Sequence, residues 1–182
     1  NEPGIYAIEA SDGEISCTFK IEHNVYRSLK NAMIKALYFQ RCGIDLEEKY
    51  AGPYSHKACH LGKTKLFGNE RTEFNITGGW HDAGDFGRYA SPAAVSLAHL
   101  LYAYELFPEA FREDINIPES GNGIPDLLNE CRYELDWLIM QQAPDGGVYH
   151  KQTTMHHADF IMPENDSAQM CMLPVSSLAT DY

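Results

Sequence analysis

The sequence predicts an all-α fold, and three observations predict it. Apolar residues return at three- and four-residue steps over 25–37, over 93–107 and over 124–142, the period that lines one face of a helix. The second and third of these segments open at Ser91-Pro92 and Pro125-Asp126, and a proline in the first turn is compatible with a helix. Extended character is confined to one short stretch, residues 14–21. The chain has 182 residues, 44% hydrophobic and 12% aromatic, enough for one domain with a real core.

In chain order, Glu14 to Ile21 alternates apolar and polar with period two, the mark of a half-buried strand with no neighbour in sequence to complete a sheet. Val25, Leu29, Ala32, Met33, Ala36 and Leu37 then form a helical stripe, with Asn24 placed to cap it. A segment rich in Gly, Pro, His and Cys runs from Gly43 to the glycine-rich motif at Gly78 and is expected to be a long loop, the kind that carries function. Ser91 caps a helix from Ala93 to Phe107 whose Ala94, Val95, Leu97, Ala98, Leu100, Leu101 and Ala103 leave it apolar on nearly every face. Such a helix is expected to be buried among other helices. Ile124 to Gln142 is amphipathic, with Leu127, Leu128, Cys131, Leu135, Leu138 and Ile139 on one stripe and Trp137 expected in the core. It ends at the turn Ala143-Pro144-Asp145-Gly146-Gly147. Residues 174–182 read as a loop and the cap of a further helix, so the chain is expected to stop mid-fold.

Fourteen basic residues against 26 acidic ones give a net charge of −12 with no Lys/Arg cluster. That excludes nucleic acid as a partner and favours an uncharged ligand. No apolar run approaches the about 20 residues that cross a bilayer, and the N-terminus lacks a signal-peptide pattern. The expectation is a soluble chain without a membrane partner. Five cysteines at irregular spacing (Cys17, Cys42, Cys59, Cys131, Cys171) do not form a disulfide framework.

The densest chemistry lies in Gly78-Gly79-Trp80-His81-Asp82-Ala83-Gly84-Asp85. Glycines open turn conformations, so Asp82 and Asp85 are expected on a tight loop that aims both carboxylates into a cleft. There one carboxylate can take a proton from water while the other holds that water, and Trp80 offers an apolar face for a sugar ring. An acidic turn that caps the next helix would read the same way. Arg88 and Tyr89 are placed to brace the loop, whereas His150, Lys151, His156 and His157 read equally as cleft or exposed loop. Cys42, Cys59, His60 and His81 supply two thiolates and two imidazoles, the composition of a structural zinc site. Sixteen residues separate the cysteines and 20 the histidines, so buried thiols or a disulfide remain the alternative.

Taken together, Gly78 to Tyr89, Glu119-Ser120-Gly121-Asn122-Gly123-Ile124-Pro125-Asp126-Leu127-Leu128 and Asp145-Gly146-Gly147-Val148-Tyr149-His150-Lys151 resemble glycoside hydrolase family 9, the cellulase family with an (α/α)6 barrel. The resemblance runs from about residue 22 to the end. It implies that 23–182 are the N-terminal portion of the barrel and that 1–22 end an immunoglobulin-like domain. It implies Asp85 as the general base, Asp82 as its partner on the same water, and an inverting endo-acting cellulase that cleaves β-1,4-glucans. An exo-acting relative (β-glucosidase or cellobiohydrolase) and an inactive, zinc-stabilised glucan-binding fragment are the alternatives. The family's general acid is a glutamate late in the barrel. Glu119, Glu130, Glu134 and Glu164 do not match its motif, so the chain alone is expected to be inactive; the rest of the barrel as a separate chain is one candidate partner, beside loss of that part by deletion or proteolysis. The resemblance also implies that Cys42, Cys59, His60 and His81 hold a structural zinc, with calcium a further family ion that has no ligands assignable here. A polymeric substrate implies secretion to the extracellular space.

Overall fold

The computed structural model describes residues 2–180, and the chain divides into two compact units, Asn1–Met33 and Ile34–Tyr182. The expected cap at 181–182 lies outside the described residues.

In the first unit, β1 (Gly4–Tyr6) pairs antiparallel with β2 (Phe19–Ile21), Tyr6 opposite Phe19. The expected strand at 14–21 is therefore shorter and does have a partner. A turn closed by Gly13 N–H donating to the Ala10 carbonyl at 2.9 Å, with Gly13 at φ +88°, reverses the chain into a hairpin. The first helix, α1 (Arg27–Phe39), begins after Asn24, whose carbonyl accepts the Arg27 N–H at 3.0 Å. Its buried residues are Ile34 and Tyr38, while Val25, Leu29 and Met33 of the expected stripe are exposed.

The second unit is not all-α. The expected loop between Gly43 and Gly78 contains α2 (Glu48–Ala51), β3 (Thr64–Leu66) and β4 (Asn69–Phe74). With β5 (Arg88–Tyr89), β6 (Lys151–Thr153) and β7 (Cys171–Met172) these strands make a five-stranded sheet in the order β4-β3-β7-β6-β5. Only β3 and β7 run parallel; the other pairs are antiparallel. The strands have two to six residues and meet partners up to about a hundred residues away, so no local period announces them.

Helix α3 (Ala90–Leu106) starts one residue before Ser91, with Tyr89 as its extended N-cap. It is not buried on all sides: Ala90 and Leu97 are, whereas Tyr102 and Leu106 are 64% and 68% exposed. Helix α4 (Asp126–Ile139) packs against one face of α3, and among the described residues nothing covers the opposite apolar face. The buried face of α4 also departs from the leucine stripe. It carries Leu127, Cys131 and Trp137 together with Glu130 and Glu134, while Leu135 and Ile139 face solvent. The helix is followed by the expected turn, closed by Ala143 N–H to the Gly147 carbonyl at 2.7 Å. A last helical turn, α5, spans Ser177–Thr180.

Three buried clusters hold this unit together: Ile34, Trp80, Leu97, Leu127 and Cys131; Tyr38, Leu46, Ala51 and Ile117; and Ile76, Trp137 and Met172. Gln152, fully buried on the interior strand β6, links the last cluster to the sheet. Its carbonyl accepts the Trp137 indole N–H at 3.2 Å, and its amide donates to the Ile76 carbonyl at 3.1 Å and to the Thr64 hydroxyl. A buried amide satisfied on both ends fixes helix, sheet and the approach to the glycine-rich loop in one register.

Candidate active site and metal centre

The glycine-rich loop is held from beneath. Gly79 sits at φ +75°, and a Cβ there would lie 2.7 Å from the Trp137 ring, so only glycine lets the backbone cross α4 this closely. Beside it, Cys42 N–H donates to the Gly79 carbonyl at 2.8 Å and His81 N–H to the Gln40 carbonyl at 2.7 Å, pairing the loop with the segment after α1. The Trp80 N–H donates to Glu134 Oε2 at 2.5 Å, and its indole N–H to Glu130 Oε2 at 3.4 Å. Arg88, fully buried, donates to the Gly78 carbonyl at 2.6 Å.

Burial pushes the carboxyls of Glu130 and Glu134 up, to about 7 and about 8, against the opposing pull of Arg41 on Glu130 and of the Trp80 N–H on Glu134. Arg41 is itself clamped between Glu119, at 2.9 and 3.0 Å, and Glu130, at 3.1 Å. These glutamates are therefore a buried support for the loop, and sequence reasoning, which weighed them only as acids, gave them no such part. The signal available was their three-residue spacing from Leu127 and Cys131 on the buried face of α4.

From this base the loop turns outward. Asp82 N–H donates to the Gly87 carbonyl at 2.8 Å, closing residues 82–87 into a tight loop that leaves Asp82 exposed. Phe86, at φ +54° and 8% exposed, folds inward under the tip, its ring 5.2 Å from that of His81 and 5.6 Å from that of His60. Asp85 is thereby turned the other way and remains 18% exposed. Its Oδ1 accepts the Gly87 N–H at 3.2 Å, and its Oδ2 accepts the Tyr89 hydroxyl at 2.6 Å and faces His157 Nδ1 at 3.4 Å.

A carboxylate offers about four lone-pair directions. The Gly87 N–H takes one on Oδ1 and the Tyr89 hydroxyl one on Oδ2, with the His157 ring facing Oδ2, so Oδ1 keeps a direction for a water proton. Burial, then the hydrogen bond to Asp85, push the Tyr89 phenol up to about 12, so it stays a donor at neutral pH. His157, which the sequence left undecided between cleft and exposed loop, reaches this carboxylate from the segment after β6. Tyr89 acts as the expected brace. A cavity of about 160 Å³ adjoins the loop, lined by Trp80, Asp82, Tyr89, Ala93, Ser96 and Glu134.

Trp80 is placed differently from the expected sugar platform. It is 7% exposed and packs with Ile34, Leu97, Leu127 and Cys131, so it is chiefly a core residue that also lines the cavity. An indole with its N–H bonded to a buried glutamate is better satisfied inside than laid flat on a cleft floor.

Cys42, Cys59, His60 and His81 converge. All four are buried, and their donor atoms lie within 4.8 Å of one another. Cys42 Sγ is 3.8 Å from His60 Nδ1 and 3.9 Å from Cys59 Sγ, and Cys59 Sγ is 3.7 Å from His81 Nε2. A tetrahedral centre with metal–sulfur bonds of about 2.3 Å and metal–nitrogen bonds of about 2.05 Å has edges of about 3.3–3.8 Å. The donor set thus fits a four-coordinate metal, and the two thiols are free. His60 holds φ +51°, which lets consecutive residues Cys59 and His60 both point at one centre. The hydrogen bond between the thiols holds Cys59 well below and pushes Cys42 well above the usual thiol range, and burial pushes His81 down, toward the neutral imidazole a metal needs. Among the described residues no helix is long and apolar enough to cross a membrane.

The family profile described as glycosyl hydrolase family 9 matches residues 26–181. A cellodextrinase of Butyrivibrio fibrisolvens is 43% identical over 98% of this chain and 33% of its own length, so the chain spans about one third of that relative. Among solved structures, a mutant thermostable endoglucanase from Alicyclobacillus acidocaldarius superposes with a TM-score of 0.86 at 37% identity, over 98% of this chain and 34% of that one. A Zn-binding triple mutant of a family 9 endoglucanase superposes with a TM-score of 0.86 at 34% identity, over 98% of this chain and 35% of that one. The chain belongs to glycosyl hydrolase family 9.

Proposed function

We propose that this chain supplies the base side of an inverting, endo-acting β-1,4-glucanase, with Asp85 as general base and Asp82 as its partner on the attacking water. The observation that carries the reading is the setting of Asp85. A hydrogen-bonded carboxylate, steadied by Tyr89 and Gly87 and approached by His157, stands on a loop anchored to α1 and α4. In an inverting reaction a carboxylic acid on the far side of the scissile bond protonates the leaving oxygen, about 6.5–9.5 Å from the base. We assign that acid to the two thirds of the family relatives' length that this chain does not span, supplied as the continuation of the barrel or as a separate chain.

Zinc is the proposed occupant of the Cys42, Cys59, His60 and His81 centre. With four protein donors the coordination sphere is closed, so the ion serves structure and fixes the backbone at His81, next to Asp82. The hairpin of residues 4–21 supports reading 1–22 as the end of an immunoglobulin-like domain that precedes the barrel. Action on a polymer supports a secreted, extracellular enzyme. The 43% identity to a cellodextrinase favours one second reading, in which short soluble β-glucan oligosaccharides are the preferred substrate. Proton NMR of the first products tests the mechanism in the complete protein. Inversion gives the α-anomer first from a β-linked oligosaccharide, and a β-anomer released first overturns it. Turnover of cellopentaose against that of a polymeric glucan separates the two substrate readings.

A further inference from the structure

We infer that Asp166 is a positioning residue of the metal centre: its carboxylate fixes His60 with Nδ1 toward the metal and ties the 154–166 segment to that centre. The inference rests on the reading that Cys42, Cys59, His60 and His81 hold a metal. The two nitrogens of His60 face different partners, with Nδ1 at 3.8 Å from Cys42 Sγ and Nε2 at 3.3 Å from Asp166 Oδ2. The two side chains of the second contact are 1% and 6% exposed, so water does not compete for it. The other oxygen of Asp166 is also held, since Oδ1 accepts the Ala168 N–H at 2.9 Å, which sets the plane of the carboxylate.

An acceptor at Nε2 selects the tautomer that carries its proton there and leaves the lone pair on Nδ1. Carboxylate, imidazole and metal in that sequence raise the basicity of the ligand and hold its ring against rotation. His60 needs this restraint, because its backbone sits at φ +51° and its ring is reached from a residue 106 positions away.

The same segment bears His157, which faces Asp85 Oδ2 at 3.4 Å. Asp166 therefore anchors one end of a strap whose other end meets the proposed base. Metal occupancy steadies the active loop from two sides, through His81 next to Asp82 and through His60, Asp166 and the strap.

The test uses the complete protein, its zinc content, and competition with a chromogenic chelator. Asp166→Ala is expected to weaken zinc binding by about 10–100-fold and to shift the ligand-field bands of the Co2+-substituted protein, because the His60 ring loses its fixed orientation. Asp166→Asn, which keeps the shape and one acceptor but not the charge, is expected to lose about tenfold. Asp166→Glu is expected to recover part of the loss. Should the alanine variant fail to fold by circular dichroism, the asparagine variant carries the test. Affinity within about twofold of the parent with a superimposable cobalt spectrum overturns the inference. A parent protein that binds neither zinc nor cobalt instead overturns the metal centre itself. As a second readout, chelation is expected to speed hydrogen exchange over 154–166 in the parent, and unchanged exchange there contradicts the tie.

Discussion

Replacing Gly87 by alanine separates Asp85 from Tyr89. A Cβ at this position would stand 2.7 Å from a ring carbon of Tyr89, 3.0 Å from its hydroxyl and 3.1 Å from Asp85 Oδ2. Carbon atoms sit comfortably at about 3.5–4.0 Å, so the tyrosine ring must retreat by about 0.8 Å. A hydrogen bond that starts at 2.6 Å then leaves the about 2.5–3.0 Å range of O–H···O contacts. Bonds to a charged acceptor contribute about 1.5–3 kcal/mol, and each about 1.4 kcal/mol is tenfold in rate. If the contact orients Asp85 for proton transfer, kcat falls by about 10–150-fold with KM little changed. Stability falls as well, because crowding of about 1–3 kcal/mol is only partly offset by the about 0.4–1 kcal/mol that alanine gains over glycine through the unfolded chain. The assay is steady-state hydrolysis of a soluble β-glucan by the complete protein, run beside thermal unfolding. Tyr89→Phe removes the same hydroxyl and should lose a similar factor, and the double variant should lose little more than either single one. Turnover of Gly87→Ala within about twofold of the parent, in a folded protein, refutes the reasoning.

Gly79→Ala should destabilise the fold by about 2–4 kcal/mol, from left-handed strain plus collision with the Trp137 ring, a loss readable as a lower urea midpoint. Glu134→Gln should alter the pH dependence of stability. Its folded carboxyl titrates near about 8 against about 4.3 unfolded, so the folded state holds the extra proton and the parent loses stability as pH rises across that window. The glutamine variant should lack this part of the slope and gain on the parent above pH 8, and identical pH–stability curves contradict the buried-acid reading. Removing the metal with a chelator should lower the melting temperature and make Cys42 and Cys59, 0% and 2% exposed, reactive to a thiol reagent. Unchanged melting and thiol reactivity count against a metal in that cluster. His157→Ala, which removes a contact from a side chain 71% exposed, should cost less than about fivefold in turnover, the scale of an exposed ion pair.

The candidate site was far more legible in the sequence than the fold around it. Asp82 and Asp85 are picked out by a glycine-bounded loop that would also suit a capping turn, and Cys42, Cys59, His60 and His81 by a donor set that suits a metal. The helices were legible for the same reason of local period, although α4 was read on its leucines while its structural face buries Glu130 and Glu134. The five-stranded sheet was not legible. Its strands are too short for a period-two signal, and the parallel pairing of Lys65 with Cys171 is a tertiary fact with no local trace. Within that sheet, the two-residue turn Phe67-Gly68 between β3 and β4, with Gly68 at φ +79°, is the local hairpin signal. Trp80, expected at the cleft from its neighbours in sequence, packs in the core against α1, α3 and α4 and also lines the cavity beside Asp82. The partners of His157 and Asp166 have no local trace, since the contacts to Asp85 and His60 join residues at least 72 positions apart.

Asp85→Asn in the complete protein tests the central claim most directly, with hydrolysis of β-glucan, metal content and circular dichroism measured on the same preparation. The amide keeps the shape of the side chain and cannot take the water's proton, so turnover should fall by about 10²–10⁴-fold while metal content and fold stay as in the parent. Near-normal turnover by that variant would contradict the assignment of Asp85 as the base.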